Sequence, residues 1–349
     1  MKVLITGGCG FLGSNLAAHF IKNNQKVYII DSLERVGSED NLNWLHSLSN
    51  KDQLTFLKAD ICKKDNINKF FKDFSPFNFI CHVAGQVAMT NSILNPRKDF
   101  EANVLGTFNI LESARNYSPN AFIAFSSTNK VYGDLGSIEI IETDKRYKLK
   151  SFPKGLDEKI PLDFSTPYGC SKGSADQYVR DWSRVFGLKT VVFRHSSIYG
   201  GRQYATKDQG WIGWFCKKAI EQKIAEKENK EITPFTISGS GKQVRDVLHS
   251  EDLIKLYCCA FEHKEKVSGE IFNIGGGYEN SLSLIELFEI LEDELSMSSL
   301  NYVRIERRAS DQDCFIANIE KAKELLGWKP NIPYLMGIRD TINWSKKLI

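Results

Sequence analysis

The sequence predicts an α/β protein: a doubly wound parallel sheet over the N-terminal part of the chain, followed by a smaller C-terminal α/β lobe. Three observations predict it. Between Met1 and about Phe193, short β-branched or aromatic runs alternate with helix-length amphipathic stretches, as strand–helix–strand crossovers do. The first run leads straight into a glycine-rich turn. Beyond Arg194 the alternation breaks into turn-rich segments, and 349 residues exceed what one compact core usually spans.

The predicted strands are Val3–Thr6, Val27–Ile30, Leu54–Lys58, Phe79–His82, Phe122–Ser126 and Thr190–Arg194. Helices between them include Gly10–Asn23, Ile67–Phe74, Phe100–Tyr117 and Tyr168–Phe186. A sheet of this type holds its ligand at the carboxyl ends of the strands, where the strand order reverses. The later chain offers a basic helix near Ile212–Glu228 and strands at Phe235–Ile237 and Glu270–Ile274. The last predicted helices are Leu284–Leu295 and Lys321–Leu326. Residues 1–193 are therefore expected to form a nucleotide-binding domain, to which a segment near 238–265 returns. Residues 194–237 and 266–349 are expected to form the substrate-binding lobe, with a cleft between the two.

The formal net charge of +3 argues against a nucleic-acid or membrane-surface role, which needs a concentrated basic patch. The Lys-rich stretches at 145–150 and 217–230 read as solvated faces. Eight cysteines include no C-x-x-C pair, and several lie in apolar runs such as Tyr257–Cys258–Cys259, so free thiols in a reducing cytoplasm are expected. No run approaches the roughly 20 apolar residues of a membrane helix. No His/Cys/Asp cluster has metal-ligand spacing, so no metal is expected.

Gly7, Gly10 and Gly13 form G-x-x-G-x-x-G after the first strand, with Phe11 and Leu12 opening the helix that follows. The first glycine permits a tight turn, the second lets the backbone approach a pyrophosphate, and the third lets helix and strand pack closely. This strand–turn–helix context makes the domain Rossmann-type. Asp31 ends the second strand, 18 residues after Gly13, with Ser32 next. A carboxylate there takes the adenosine ribose hydroxyls and repels a 2′-phosphate, favouring NAD over NADP; Arg35 nearby tempers that preference. Asp60 and Ile61 follow the third strand, at the place for adenine.

Tyr168 and Lys172 form Y-x-x-x-K, which sets both side chains on one helix face. The Ser-rich strand end Ser126–Ser127–Thr128 precedes them by some forty residues. An alcohol oxidised by NAD must lose a proton, and a phenol with a pKa near 10 is a poor base at neutral pH. A nearby ammonium and a cationic nicotinamide favour the phenolate, while Thr128 or Ser127 holds the reacting hydroxyl.

These residues resemble those of the extended short-chain dehydrogenase/reductase family, whose pattern covers nearly the whole chain. The resemblance extends to His82–Val83–Ala84–Gly85, Asn103–Val104–Leu105–Gly106–Thr107, Val131–Tyr132–Gly133, Gln243–Val244–Arg245–Asp246 and Phe272–Asn273–Ile274–Gly275–Gly276. It implies a nucleoside-diphosphate sugar as substrate and a dinucleotide held also by Ala84, Gly85, Gln86, Asn103, Ser126 and His195. It further implies substrate contacts from Gln86, Thr128, Ser197, Arg202, Gly210, Trp211, Thr236, Arg245, Arg308 and Asp311. Two arginines suit a diphosphate, because guanidinium groups bind such oxygens in a bidentate way.

Within the family, the related 4,6-dehydratases carry an Asp–Glu pair just after the Ser/Thr position, where this chain has Asn129 and Lys130. Elimination of water then lacks its acid and base. The stretches around Gln86, Asn129, Ser197 and Trp211 instead resemble the sugar-nucleotide 2-epimerases that act on CDP-linked dideoxyhexoses and supply lipopolysaccharide O-antigen. Ser197 stands where 4-epimerases have Asn, and Asn318 where many relatives have Asp. The implied reaction removes hydride from C2 to bound NAD and returns it to the other face of the keto-sugar, with no net redox change. A UDP-hexose 4-epimerase and a non-catalytic NAD-sensing regulator remain alternatives. The helices Phe100–Tyr117 and Tyr168–Phe186 resemble those that build dimer bundles in the family, implying a homodimer or homotetramer.

Overall fold

The computed structural model of the chain describes residues 1–308 and 311–349. Apolar runs that must lie between two helical layers are continuous rather than alternating, and the central strands follow that rule. They are β1 (Lys2–Thr6), β2 (Lys26–Asp31), β3 (Leu54–Lys58), β4 (Phe79–His82), β5 (Phe122–Thr128), β6 (Lys189–His195) and β7 (Glu270–Ile274). All pair in parallel, in the order β7-β6-β5-β4-β1-β2-β3. The order reverses between β1 and β4, which opens a crevice at their carboxyl ends.

One face of the sheet is covered by α1 (Phe11–Lys22), α2 (Ser38–Leu48) and the helix Ser250–Glu262. Their buried side chains meet Val3, Ile5, Val27, Phe79, Phe122 and Phe193 in one cluster. The other face carries helices Lys64–Phe74 and Gly106–Tyr117 and the long α3 (Thr166–Phe186), packed on Leu4, Ile80, Ile123, Phe125 and Val192. The helix predicted over 100–117 is interrupted: a π-turn at Glu101–Leu105 separates Pro96–Phe100 from Gly106–Tyr117. The Ser165–Thr166–Pro167 start suits α3, since proline at the first turn costs no hydrogen bond.

The smaller lobe is built on α4 (Trp211–Lys227), helix Leu284–Leu295 and α5 (Tyr334–Ser345), with the parallel pair Phe235–Ser238 and Tyr302–Ile305. Between the lobes, Val244–His249 pairs with Ser197–Tyr199, Ser281–Ser283 and Cys314–Phe315.

The predicted partition needs correction. Glu270–Ile274, expected in the smaller lobe, is the edge strand β7 of the large sheet, in register with Val191–His195. The helix Glu320–Leu326 and Trp328 likewise join the nucleotide-domain core. The returning segment near 238–265 is split: its helix packs in that core, while its strand belongs to the small mixed sheet. Asn318 accepts a hydrogen bond from the Glu320 amide two residues on, a local turn that Asp would make equally well. The Lys-rich stretches carry solvent-side ion pairs, Lys145 with Glu289 and Lys218 with Glu221. All eight cysteines are free thiols.

Candidate active site

Between the lobes, at the carboxyl ends of the strands, lies a cleft of about 830 Å³. Its floor begins with the glycine turn. Gly7 has φ +69°, and a methyl on Gly13 would overlap the carbonyl oxygen of Gly7. Only bare glycines allow this close turn. The Asp31 carboxylate accepts from the amides of Cys9 (2.9 Å) and Leu33 (2.8 Å), which ties the end of β2 to the turn. Gly7, Gly10, Phe11, Leu12, Gly13, Asp31, Ser32, Asp60, Ile61, Ala84, Gly85 and Gln86 all line this part of the cleft, with Arg35 at its edge. A glycine cradle, a carboxylate at the end of the second strand and a long groove fit a dinucleotide.

The reacting end is assembled by β5, β6 and α3. Ser126, Ser127, Thr128, Tyr168 and His195 line it. Lys172, one turn on from Tyr168, is buried just behind the surface; its ammonium donates to the Ser126 carbonyl and sits 4.3 Å from the Phe125 ring centre. Thr128 hydrogen-bonds the Tyr168 phenol. Ser127 points elsewhere: its hydroxyl donates to Asp176 at 2.8 Å. That leaves Thr128 as the hydroxyl that faces the phenol. Asp176 also receives Arg194 through Nε (2.9 Å) and Nη2 (2.8 Å), and Arg194 donates to Tyr132. This buried network fixes where β5 ends.

Burial pushes the Tyr168 phenol up to about 12, Thr128 opposing and Asp99 adding. Burial lowers Lys172 to about 8 against the pull of Asp176 and Asp99. Lys172 is not among the groups that shift the Tyr168 phenol, whose rise is set by burial. Burial, then Lys172, lowers His195 to about 3 and so keeps it neutral. Both of its ring nitrogens lack a protein partner although only 5% of the residue is exposed. Buried polar atoms in that state call for a ligand or water, and His195 faces the cleft.

Asn103 does not reach the cleft surface. Its Nδ2 donates to the Gln86 carbonyl (3.1 Å), Asp99 and Ser171 from beneath, so it braces the Gln86 turn, while its Oδ1 is buried without a protein partner.

At the far end, Ser197, Gly210, Trp211, Arg245, Arg308 and Asp311 converge on the cleft. The Trp211 indole donates to Ser197 Oγ at 3.0 Å. Asp311 Oδ1 accepts from Arg245 Nη2 at 2.8 Å and lies 3.4 Å from Lys130 Nζ. Burial would raise the Asp311 carboxyl, but Arg245 and then Lys130 hold it below the usual range. Asn129 donates to Gln312 at 2.9 Å; neither it nor Lys130 supplies a carboxylate. Two readings need correcting. Thr236 lies outside the cleft, in a second cavity of about 330 Å³ lined also by Trp214 and Lys218 of α4 and by Phe235. Arg202 lines the cleft, but its guanidinium is stacked on Trp44 and Trp344 and sits on the glycine-turn side.

Sequence reasoning missed Asn41, Lys98, Gln203 and Tyr204, which also line the cleft. Lys130, which the sequence marks only as the place of an absent carboxylate, lines it as well. None carries a local signal, since each reaches the cleft through tertiary placement. Among the described residues, no group of three or more His, Cys, Asp or Glu could hold a metal ion, and no helix is long and apolar enough to cross a membrane.

The family model for NAD dependent epimerase/dehydratase proteins matches residues 3–275. The chain belongs to the NAD-dependent epimerase/dehydratase family. Over 348 residues, 100% of each chain, it is 51% identical to the CDP-paratose 2-epimerase of Salmonella typhi. A putative UDP-glucose 4-epimerase of Methanocaldococcus jannaschii is 33% identical, covering 99% of this chain and 98% of the relative. Among solved structures, the UDP-glucose 4-epimerase of Thermotoga maritima with UDP-glucose superposes with a TM-score of 0.83 at 27% identity, over 100% and 99% of the two chains. The enzyme is thus an isomerase of the short-chain dehydrogenase/reductase type that uses NAD on a nucleotide sugar.

Proposed function

We propose that the enzyme interconverts CDP-paratose and CDP-tyvelose by inverting C2 of the sugar. The full-length relation to the Salmonella typhi enzyme carries this reading. The site chemistry supports it: Tyr168, Thr128 and Lys172 suit reversible oxidation of an alcohol, whereas Asn129 and Lys130 leave elimination without an acid and a base.

NAD, when bound, supplies the hydride acceptor and later the donor. Tyr168 takes the proton of the C2 hydroxyl in the first half-reaction and returns one to the C2 oxygen in the second. Thr128 orients that oxygen. Lys172 keeps a positive charge behind the phenol, anchored by the Ser126 carbonyl. Arg245 and Arg308 take the diphosphate, with Asp311 holding Arg245 in place until they do. Ser197 and Trp211 bound the sugar side.

A homodimer or homotetramer fits the exposed apolar side chains Phe100, Leu105, Tyr178, Val185 and Phe186 on the helices near 100–117 and on α3. Eight free thiols fit a cytoplasmic protein.

The test offers the purified enzyme CDP-paratose, CDP-tyvelose, UDP-glucose and UDP-galactose separately and follows each by NMR. Turnover of both CDP sugars is expected. Turnover of the UDP-hexoses alone would make it a 4-epimerase.

A further inference from the structure

The stretch Gly201–Tyr204 crosses from the nucleotide domain to the smaller lobe, directly over the glycine turn. Its backbone is hung from three side chains. Asn15 of α1 donates to the Gly201 carbonyl at 3.0 Å. Asn41 of α2 donates to the Arg202 carbonyl at 3.3 Å and to the Cys9 carbonyl at 3.1 Å, so one amide holds both this stretch and the glycine turn. On the other side, Trp344 of α5 donates to the Gln203 carbonyl at 3.2 Å.

The side chains lock the same place. Arg202 has φ +68°, a left-handed backbone that a residue with a side chain keeps only where its surroundings hold it. Its guanidinium lies 4.0 Å from the Trp44 ring centre on α2 and 5.0 Å from that of Trp344 on α5. Cation–π contact with indole is the strongest of its kind. Tyr204 stands edge-on to Trp344 at 5.6 Å and presses on Gly37, where any side chain would overlap its ring. The Tyr204 phenol interacts with both Arg202 and Asp40. Arg202, Gln203 and Tyr204 line the cleft together with Asn41 and Arg35.

We propose that residues 201–204 form a clasp that retains NAD in its cleft, with Arg202, keyed between Trp44 and Trp344, as its latch. Freeing the dinucleotide then requires drawing the guanidinium out from between two indoles that belong to different lobes. An enzyme that oxidises and then reduces the same molecule gains from such a latch, because losing the cofactor between the two halves strands the intermediate. The inference rests on NAD being the cofactor and on no particular sugar. It also separates Arg202 from Arg245, whose partner is Asp311 at the far end of the cleft.

The test measures NAD release from the holoenzyme by chasing with excess 1,N6-etheno-NAD and following its fluorescence on binding. Wild type is compared with Arg202→Met, Arg202→Lys, Trp344→Leu and Trp344→Phe, each first checked for wild-type circular dichroism. Release is expected to quicken at least about tenfold in Arg202→Met and in Trp344→Leu, the loss of a partly buried cation–π contact. The double variant should be no faster than either alone, and Arg202→Lys and Trp344→Phe should fall between. Wild-type release rates in the folded variants would overturn the clasp. So would a raised KM for the sugar in Arg202→Met with unchanged NAD release, which would place Arg202 on the substrate. Should Arg202→Met not fold, Trp344→Leu decides by the same release rate, and Trp344→Phe decides if neither folds.

Discussion

Asp176→Asn probes the link between the fold and the reacting end. Asp176 is fully buried and binds Arg194 twice, at 2.8 and 2.9 Å, and Ser127 once, at 2.8 Å. Asparagine keeps the shape but removes the charge, and leaves Arg194, whose side chain is 3% exposed, as an uncompensated buried cation. Breaking one half of such a pair costs about 3–5 kcal/mol. Unfolding entropy near 60 °C is about 2.1 cal/mol/K per residue, or about 0.7 kcal/mol/K for a chain of 349 residues. The expected fall in Tm is therefore about 4–7 °C, read by calorimetry at fixed NAD concentration. Replacing both partners, Asp176→Leu with Arg194→Met, should recover much of the loss, since apolar pairs of similar volume substitute well. An Asp176→Asn protein that melts with wild type would refute the claim that this ion pair fixes the end of β5.

Tyr168→Phe should keep the fold and bound NAD but lose at least about a hundredfold in kcat, the scale of a general acid/base; a near-wild-type rate would remove Tyr168 from the mechanism. Gly13→Ala should abolish NAD binding in a fluorescence titration, because its methyl meets the Gly7 carbonyl oxygen; tight binding would contradict the cradle. His82, bonded to Thr6 and Thr107, is lowered to about 3 by burial and then by Lys172. Its folded pKa lies below the unfolded value, so its contribution is present above pH 6.5 and is lost as pH falls from about 6.5 towards 3. Urea melts of wild type and His82→Gln should converge by about 1.4 kcal/mol per pH unit below 6.5; parallel curves would show that His82 is protonated in the folded protein.

Features written in local spacing were legible from the sequence. Gly7, Gly10 and Gly13 with Asp31, and Tyr168 with Lys172, need only a strand or helix around them to reach their places. Features set by packing were not. Helix α2 buries Ser38, Asn41 and Leu45, and α5 buries Gly337, Ile338, Thr341, Ile342 and Ser345; neither face is an apolar stripe, so periodicity passes over both. Strand β7 reads as an apolar run like any other, and only its partner β6 assigns it to the large sheet. Ser127 and Thr128 are adjacent in sequence, and the pleat sends one to Asp176 and the other to the phenol. Thr236 sits on a strand of the right lobe, but lines the second cavity rather than the cleft. Arg202 looked like a third substrate arginine because its two tryptophans lie 158 residues behind it and 142 ahead.

The central claim, inversion at C2 by transient oxidation with retained NAD, is met most directly by following a C2 label. Holoenzyme without added NAD is given CDP-paratose deuterated at C2, in ordinary water, and both sugars are read by NMR and mass spectrometry. The account predicts that CDP-tyvelose forms with deuterium still on C2, more slowly than from unlabelled substrate. Loss of the label to water at the rate of epimerisation would contradict it, since the C2 hydrogen would then leave as a proton rather than as a hydride.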